Sequence, residues 1–260
     1  MLDAIVIAGG IPQPDEPLYP YTQGQPKALL DVAGKPMVQW VLDALCGAQS
    51  INNVVMIGLE ANSGVSCDKI RSYIPSEGGI FANVRSGVKE VLRLDPKAHH
   101  MAIVSADIPS ILPEHIDWVV NTAMQSDVDL SYNMIRREVM EARFPGSKRT
   151  YIKFKDAAVC GGDLNVVRTM TVTSNDHLWE EIIEARKNAL KQAMLIGIDT
   201  LFLLMFRMLT VDHAVKRIAQ KMNMTGRALD CPYAEIGMDV DKPHQLELMR
   251  ADLASRSGRG

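Results

Sequence analysis

The sequence predicts an α/β protein with a mostly parallel, doubly wound, Rossmann-like sheet and a helical insertion. Three observations carry that prediction. Short apolar runs alternate with helix-period patterns through the first half of the chain. One such run, Ala4–Ala8, ends directly in Gly9-Gly10, and another, Met101–Val104, ends in Ser105-Ala106-Asp107. Ligands of open parallel sheets sit beyond the carboxyl ends of the strands, so these two ends are predicted to converge. Finally, 260 residues, 47% hydrophobic and 23% charged, suffice for one large core.

Taken in order, Ala4–Ala8 reads as the first buried strand, Met37–Gly47 as an amphipathic helix and Asn53–Gly58 as a second strand. Phe81–Leu94 reads as a helix and His100–Ser105 as a strand. Pro113–Gln125 is a helix with proline in its first turn, where the missing N–H costs nothing. Asp129–Arg136 and Thr150–Lys155 read as strands bracketing a polar, basic loop from Arg143 to Arg149. Residues 176–222 read as nearly continuous helix, broken near Gly197 and Thr210, with Asp212 as a cap. A strand near Arg227–Cys231 and a final helix from Pro243 close the pattern, and Ser255–Gly260 reads as a frayed tail.

Composition narrows the function classes. A net charge of −3 gives no electrostatic reason to expect nucleic acid or an anionic membrane. Cys46, Cys67, Cys160 and Cys231 are scattered and form no C-x-x-C pair. Neither a structural zinc site nor a disulfide framework is therefore expected, and the reading points to a reducing cytoplasm. The first strand begins at once, without a basic leader, so no secretory signal is expected. Ala193–Leu209 is the most lipid-like segment, but it carries Asp199 and Arg207 and falls short of the roughly 20 apolar residues of a membrane span. A core or subunit-interface helix is the expectation there. The six histidines have no partners at zinc-ligand spacing.

The chemistry begins at Gly9-Gly10. Glycines let the backbone approach a ligand closely, and their N–H groups form a concave anion site. After a polar, proline-rich loop, Gln25-Pro26-Lys27 returns a point charge suited to phosphate over that corner. The combination points to triphosphate binding. It is neither G-x-G-x-x-G nor a P-loop: the later glycines are missing, and Lys27 lacks the preceding glycine and following Ser/Thr. Asp107, just past a strand end and followed by Ile108-Pro109, suits a Mg²⁺ ligand, with an Asx-type turn as the alternative.

These residues also resemble a family. AIVIAGG…QPKALLDVAGKPMVQWVLDAL is similar to the opening signature of the nucleoside-triphosphate transferase superfamily. That superfamily includes sugar-1-phosphate nucleotidyltransferases, cytidylyltransferases of isoprenoid synthesis and molybdenum-cofactor guanylyltransferases. The resemblance implies the glycosyltransferase-A-type nucleotidyltransferase fold as a single domain over 1–260. Residues 1–125 would be its nucleotide-binding half, 126–175 the acceptor-side strands, 176–222 the helical insertion and 223–254 the closing strand and helix. It implies Ala8, Gly9, Gly10 and Lys27 at the triphosphate, and Gly78, Gly79 and Asn83 at the base and ribose. Lys27 and Asp107 would be catalytic. Asp107 would hold Mg²⁺ together with Asp241, from the late motif Gly237-Met238-Asp239-Val240-Asp241-Lys242-Pro243. On a strand Asp239 would share the side of Asp241, as its support or substitute. Gly162 and Asn165, with Lys153 nearby, would line the acceptor side.

The implied reaction transfers a nucleoside monophosphate to a small phosphorylated acceptor such as a sugar-1-phosphate, with release of pyrophosphate. The insertion would cover the acceptor or join copies of the chain. Alternatives are a molybdopterin guanylyltransferase-like enzyme, a glycosyltransferase consuming a nucleotide sugar, and a nucleotide-binding module without catalysis. One departure stands out. Those families carry an arginine soon after the glycines, whereas this chain has Ile11-Pro12-Gln13-Pro14 and no arginine before Lys27.

Overall fold

A computed structural model describes residues 1–173, 203, 206–221 and 223–257. Four strands make the parallel half of the main sheet: β1 (Leu2–Ile7), β4 (Ile51–Ile57), β5 (Ile70–Ile74) and β6 (His100–Ser105). Between β1 and β4 lie a short helix, α1 (Tyr19–Thr22), and the two-residue strands β2 (Asp31–Val32) and β3 (Lys35–Pro36). The β2–β3 hairpin turns on Ala33 and Gly34, both at positive φ (54° and 85°), which matches the hand of the flanking strands.

The rest of the main sheet comprises β7 (Leu130–Arg136), β8 (Ile152–Lys153), β9 (Ala158–Gly161), β10 (Leu164–Arg168) and β11 (Gly226–Cys231). The order is β5-β4-β1-β6-β10-β7-β9-β8, with β11 also paired to β7. Beyond β6 the sheet is mixed. β10 runs antiparallel to both β6 and β7, while β11 runs parallel to β7. One edge of β7 is shared, β10 taking its first residues and β9 its last, and the other edge carries β11. The chain kinks between β9 and β10 at Gly162, where a Cβ would lie 2.9 Å from that of Asn133 and 3.0 Å from Ile236 Cγ2.

Alternation along the strands splits the core into two layers. Ala4 and Val6 of β1, Val54 and Met56 of β4, and Ala102 and Val104 of β6 face the helices α2 (Met37–Gly47), α4 (Pro113–Ala123) and α8 (Pro243–Ser257). Ile5, Val55, Ile57 and Met101 face the opposite layer. That layer holds α3 (Ile80–Leu94), α6 (Thr169–Thr173) and α7 (Val211–Lys221). The helix α5 (Arg137–Arg143) follows β7. Helical spacing explains the burial: α2 buries Val38, Val41, Leu42 and Leu45, and α3 buries Val84, Gly87, Val88 and Val91. The predicted strand over Thr150–Lys155 shrinks to Ile152–Lys153. Most of the predicted helical stretch 176–222, including residues 193–202, 204 and 205 of Ala193–Leu209, lies outside the described residues. Among the described residues no helix is long and apolar enough to cross a membrane.

The cysteine reading needs correction. Cys46 in the last turn of α2 and Cys67 in the crossover ahead of β5 form a disulfide, with their Cα atoms 6.0 Å apart. Lys69 secures the same crossover by donating to the carbonyls of Leu45 and Ala48 at 3.0 and 2.5 Å. The pairing joins residues 21 positions apart, a proximity that only the folded crossover creates. It also removes the cysteine-based argument for a reducing compartment.

One backbone contact fixes where the parallel strands end. Gly58 follows β4 at φ +87°, and a Cβ there would lie 2.3 Å from Gly9 Cα and 2.5 Å from Gly9 N. Gly58→Ala should therefore destabilise the protein by about 2 kcal/mol or more, from left-handed strain plus the clash. Gly64, also left-handed but with open space around it, should cost only about 1 kcal/mol as alanine. Urea titration of the two variants checks the difference; equal losses would show that the Gly9 contact contributes nothing.

Candidate active site

The sheet register brings the sequence-predicted residues together. Ile7 lies opposite Ile57 on one side and Ser105 on the other, so β1, β4 and β6 end level. Ala8 N–H then donates to Ile57 O at 2.8 Å and Ala106 N–H to Ile7 O at 3.1 Å, which carries the pairing just past the strand ends. Asp107 emerges there. Lys27 is delivered by the loop and a 3₁₀ turn, Lys27–Leu29, and its own N–H donates to Gly10 O at 2.8 Å. The late motif arrives from the other end of the sequence and is pinned by Val240 N–H to Asp107 O at 3.0 Å.

The side chains meet at one ammonium. Lys27 Nζ lies 2.6 Å from Asp107 Oδ2 and 2.7 Å from Asp241 Oδ1. Lys27 and Asp107 are largely buried, whereas Asp241 is 55% exposed and opens the site to solvent. Burial opposes the charge on Lys27, but the carboxylates of Asp107 and Asp241 outweigh it and hold its pKa well above the ordinary value. Asp107 Oδ1 is buried and accepts no hydrogen bond from the protein. A buried carboxylate oxygen without a donor is an unmet demand for a cation or a donor.

This geometry agrees with what the sequence matches elsewhere. Residues 4–189 match the model of the MobA-like NTP transferase domain. The chain belongs to that family. As a nucleotidyltransferase, it transfers a nucleoside monophosphate from a nucleoside triphosphate to an acceptor. No sequence match is found among curated proteins. Among solved structures, a hypothetical transferase from Thermus thermophilus is similar over 95% of this chain and 100% of its own, with 28% identity and a TM-score of 0.82. A CMP:2-keto-3-deoxy-manno-octonic acid synthetase complexed with CTP shares the fold, with a TM-score of 0.64, 14% identity, and 98% and 99% coverage of the two chains. So does a 4-diphosphocytidyl-2C-methyl-D-erythritol synthase from Anaerococcus prevotii, with a TM-score of 0.59, 10% identity, and 97% and 96% coverage.

Other predicted residues of this NTP transferase are placed differently from one another. Gly78 is at φ +77° and Gly79 leads into α3, beside the corner, because a Cβ on Gly9 would lie 2.6 Å from that of Ser76. The Asn83 amide is turned inward: its Oδ1 accepts from Glu77 N–H at 2.7 Å and its Nδ2 donates to Ser76 Oγ at 3.3 Å. Asn83 thus braces the Ser76–Gly79 loop with its side chain. Asn165 is engaged likewise, accepting from Asn133 N–H and donating to Gly162 O, both at 2.8 Å. Lys153 is exposed on β8. Arg143, at the start of the basic loop, pairs with Glu235 and Asp252 at 2.7 and 2.8 Å.

Asp239 does not double for Asp241. Residues 238–241 are not in a strand, so the period-two rule does not apply. Asp241 turns to Lys27 and Asp239 forms an ion pair with Arg149.

Sequence reasoning does not single out Asp163, though it lies between the predicted Gly162 and Asn165. Its backbone is clamped by Asp163 N–H to Ile236 O at 2.8 Å and Ser105 N–H to its own carbonyl at 2.9 Å, which locks the start of β10 to the end of β6. Its Oδ2 is buried and unpartnered. Burial pushes the Asp163 carboxyl up to about 7, the charge of Asp107 adds to the shift, and Arg149 opposes it. The signal available in sequence was an acid directly after Gly161-Gly162; nothing there fixed its direction.

The raised value makes a signed prediction for the ligand-free protein. Between an ordinary carboxylate pKa and about 7, folded Asp163 keeps a proton that the unfolded chain has lost. Its contribution therefore lowers stability as pH rises through that window, by up to about 1.4 kcal/mol per pH unit, and is constant above it. Urea titrations at pH 4.5 to 8 should show Asp163→Asn with a flatter profile than the unaltered protein; parallel profiles would refute the assignment.

Proposed function

We propose that the enzyme is a Mg²⁺-dependent nucleotidyltransferase whose acceptor is a small phosphorylated, sugar-like molecule. The observation that carries the reading is the Lys27 ammonium shared by Asp107 and Asp241 beside the Gly9-Gly10 corner. Two carboxylates that already share a cation, one with a bare buried oxygen, fit a hard divalent ion, which takes one or two carboxylates plus phosphate oxygens. In this reading Asp107 and Asp241 hold Mg²⁺, which when bound neutralises charge on the triphosphate. The amides of the Gly9-Gly10 corner and Lys27 bind and orient the triphosphate. An oxygen of the acceptor phosphate bonds to the α-phosphorus, the α-phosphorus–oxygen bond to the β-phosphate breaks, and pyrophosphate leaves with the electron pair. Such transfer depends on alignment and charge stabilisation.

The acceptor class draws support from relatives of the same fold. A Thermus thermophilus relative is named for 2-C-methyl-D-erythritol 4-phosphate, and the synthetase bound to CTP is named for a keto-deoxy-octonic acid. Both names describe small polyhydroxylated acceptors. The exposed Lys153 on the acceptor-side strands supplies positive charge for such a phosphate.

Thermal unfolding with ATP, CTP, GTP, UTP and dTTP, each with and without Mg²⁺, tests the nucleotide half. A ligand at about 100 times its dissociation constant adds about 2.7 kcal/mol, a shift of a few degrees in a domain of this size. A Mg²⁺-dependent shift with one triphosphate is the expected result; none with any would overturn the reading. For the partner triphosphate so found, Lys27→Ala should lower pyrophosphate release about a hundredfold, close to 3 kcal/mol of barrier. Near-normal release from a folded variant would remove Lys27 from the chemistry.

A further inference from the structure

We propose that Lys242 binds the outer phosphates of the triphosphate and the pyrophosphate formed from them. The inference rests on the nucleotide reading above and adds a residue to it. A cavity of about 470 Å³ opens beside the Lys27 triad, lined by Gly10, Ile11, Glu16, Lys27, Asp241 and Lys242 among others. A smaller cavity of about 130 Å³ reaches inward to Ala8, Ser105 and Asp107, and the two share Gly10 and Lys27. A chain of phosphates running past Gly10 and Lys27 therefore passes from the inner space to the outer one. None of the residues Ser76–Asn83, beside which the base is placed, lines the outer cavity.

The charges on that wall single out one residue. Loop residues 11–18 contain no Lys, Arg or His. Glu16 accepts the Gln13 N–H of its own loop at 2.9 Å. Lys27 and Asp241 are paired with each other at 2.7 Å. The Lys242 ammonium has no hydrogen bond or ion pair among the described residues, so it is the cation on this wall that no carboxylate matches.

Its root is nevertheless held. Buried Gln245 accepts the N–H groups of Asp241 and Lys242 through Oε1, at 3.0 and 2.9 Å, and so fixes the approach to α8. A compact ammonium on a preset backbone, facing a concave wall of this volume, suits an anion with several oxygens.

Titration calorimetry with Mg²⁺ tests this, using three probes: inorganic pyrophosphate, the triphosphate that the unaltered protein binds, and the matching monophosphate. One lost charge-assisted contact is worth about a tenfold change in affinity. Lys242→Gln should weaken pyrophosphate and triphosphate about tenfold and leave the monophosphate within about twofold. Lys242→Arg should recover most of the loss, and Lys97→Gln, on an exposed loop, should change none of the three. Triphosphate and pyrophosphate binding that Lys242→Gln leaves intact would overturn the inference alone, as would an equal loss for all three probes. No nucleotide binding by the unaltered protein would overturn the parent reading together with this one.

Discussion

An ammonium shared by two carboxylates can hold only if three distant segments are brought to one point, and this site depends on that sharing. Lys27, Asp107 and Asp241 come from the first loop, the end of β6 and the approach to α8. Backbone bonds prepare the meeting before the charges contribute. Lys27 N–H is tied to Gly10 O, and Val240 N–H to Asp107 O. The glycine contact between Gly9 and Gly58 in turn sets how closely the β1 and β4 ends can lie. The charged triad is thus a consequence of backbone geometry, and it satisfies groups that would be costly to leave buried alone. In the reading proposed here, the arrangement also keeps both carboxylates in position while no nucleotide is present.

Much of the first half was legible because its signals are local. Apolar runs such as Ala4–Ala8 fill both faces of a parallel strand, and Met37–Gly47 repeats its apolar positions at helical spacing. Gly9, Lys27 and Asp107 were legible for the same reason: each sits at a punctuation mark of the pattern. The second half depends on tertiary pairing. β9 and β10 are four and five residues long, too short to announce themselves, and β10 became a central antiparallel strand only by fitting between β6 and β7. The Cys46–Cys67 bond likewise needed the crossover to exist first.

Asparagine illustrates where residue type stops being informative. Asn83 and Asn165 both lay beside glycine turns, where an amide serves equally as a ligand contact or as a brace for loop backbone. In the folded chain both amides are bonded to the protein's own loops. What they secure still bears on the site, since Asn83 holds the loop that presses on Gly9, and Asn165 holds the kink that aims Asp163. They act at one remove from any ligand.

Charge balance explains why Asp163 matters although it touches neither Lys27 nor Arg149 in a direct ion pair. Asp107, Asp163, Asp239 and Asp241 gather around Lys27 and Arg149, leaving two negative charges in excess if every acid is ionised. Two of the four are bonded to Lys27 and one to Arg149, so the excess is felt most by the carboxylate with no partner, where one of the two charges is most readily removed. Water cannot screen its buried oxygen, and the remaining remedy within the protein is a proton. A divalent cation held by Asp107 and Asp241 would relieve the same excess from the other side. In the reading proposed above, a filled metal position would lower the demand for a proton on Asp163.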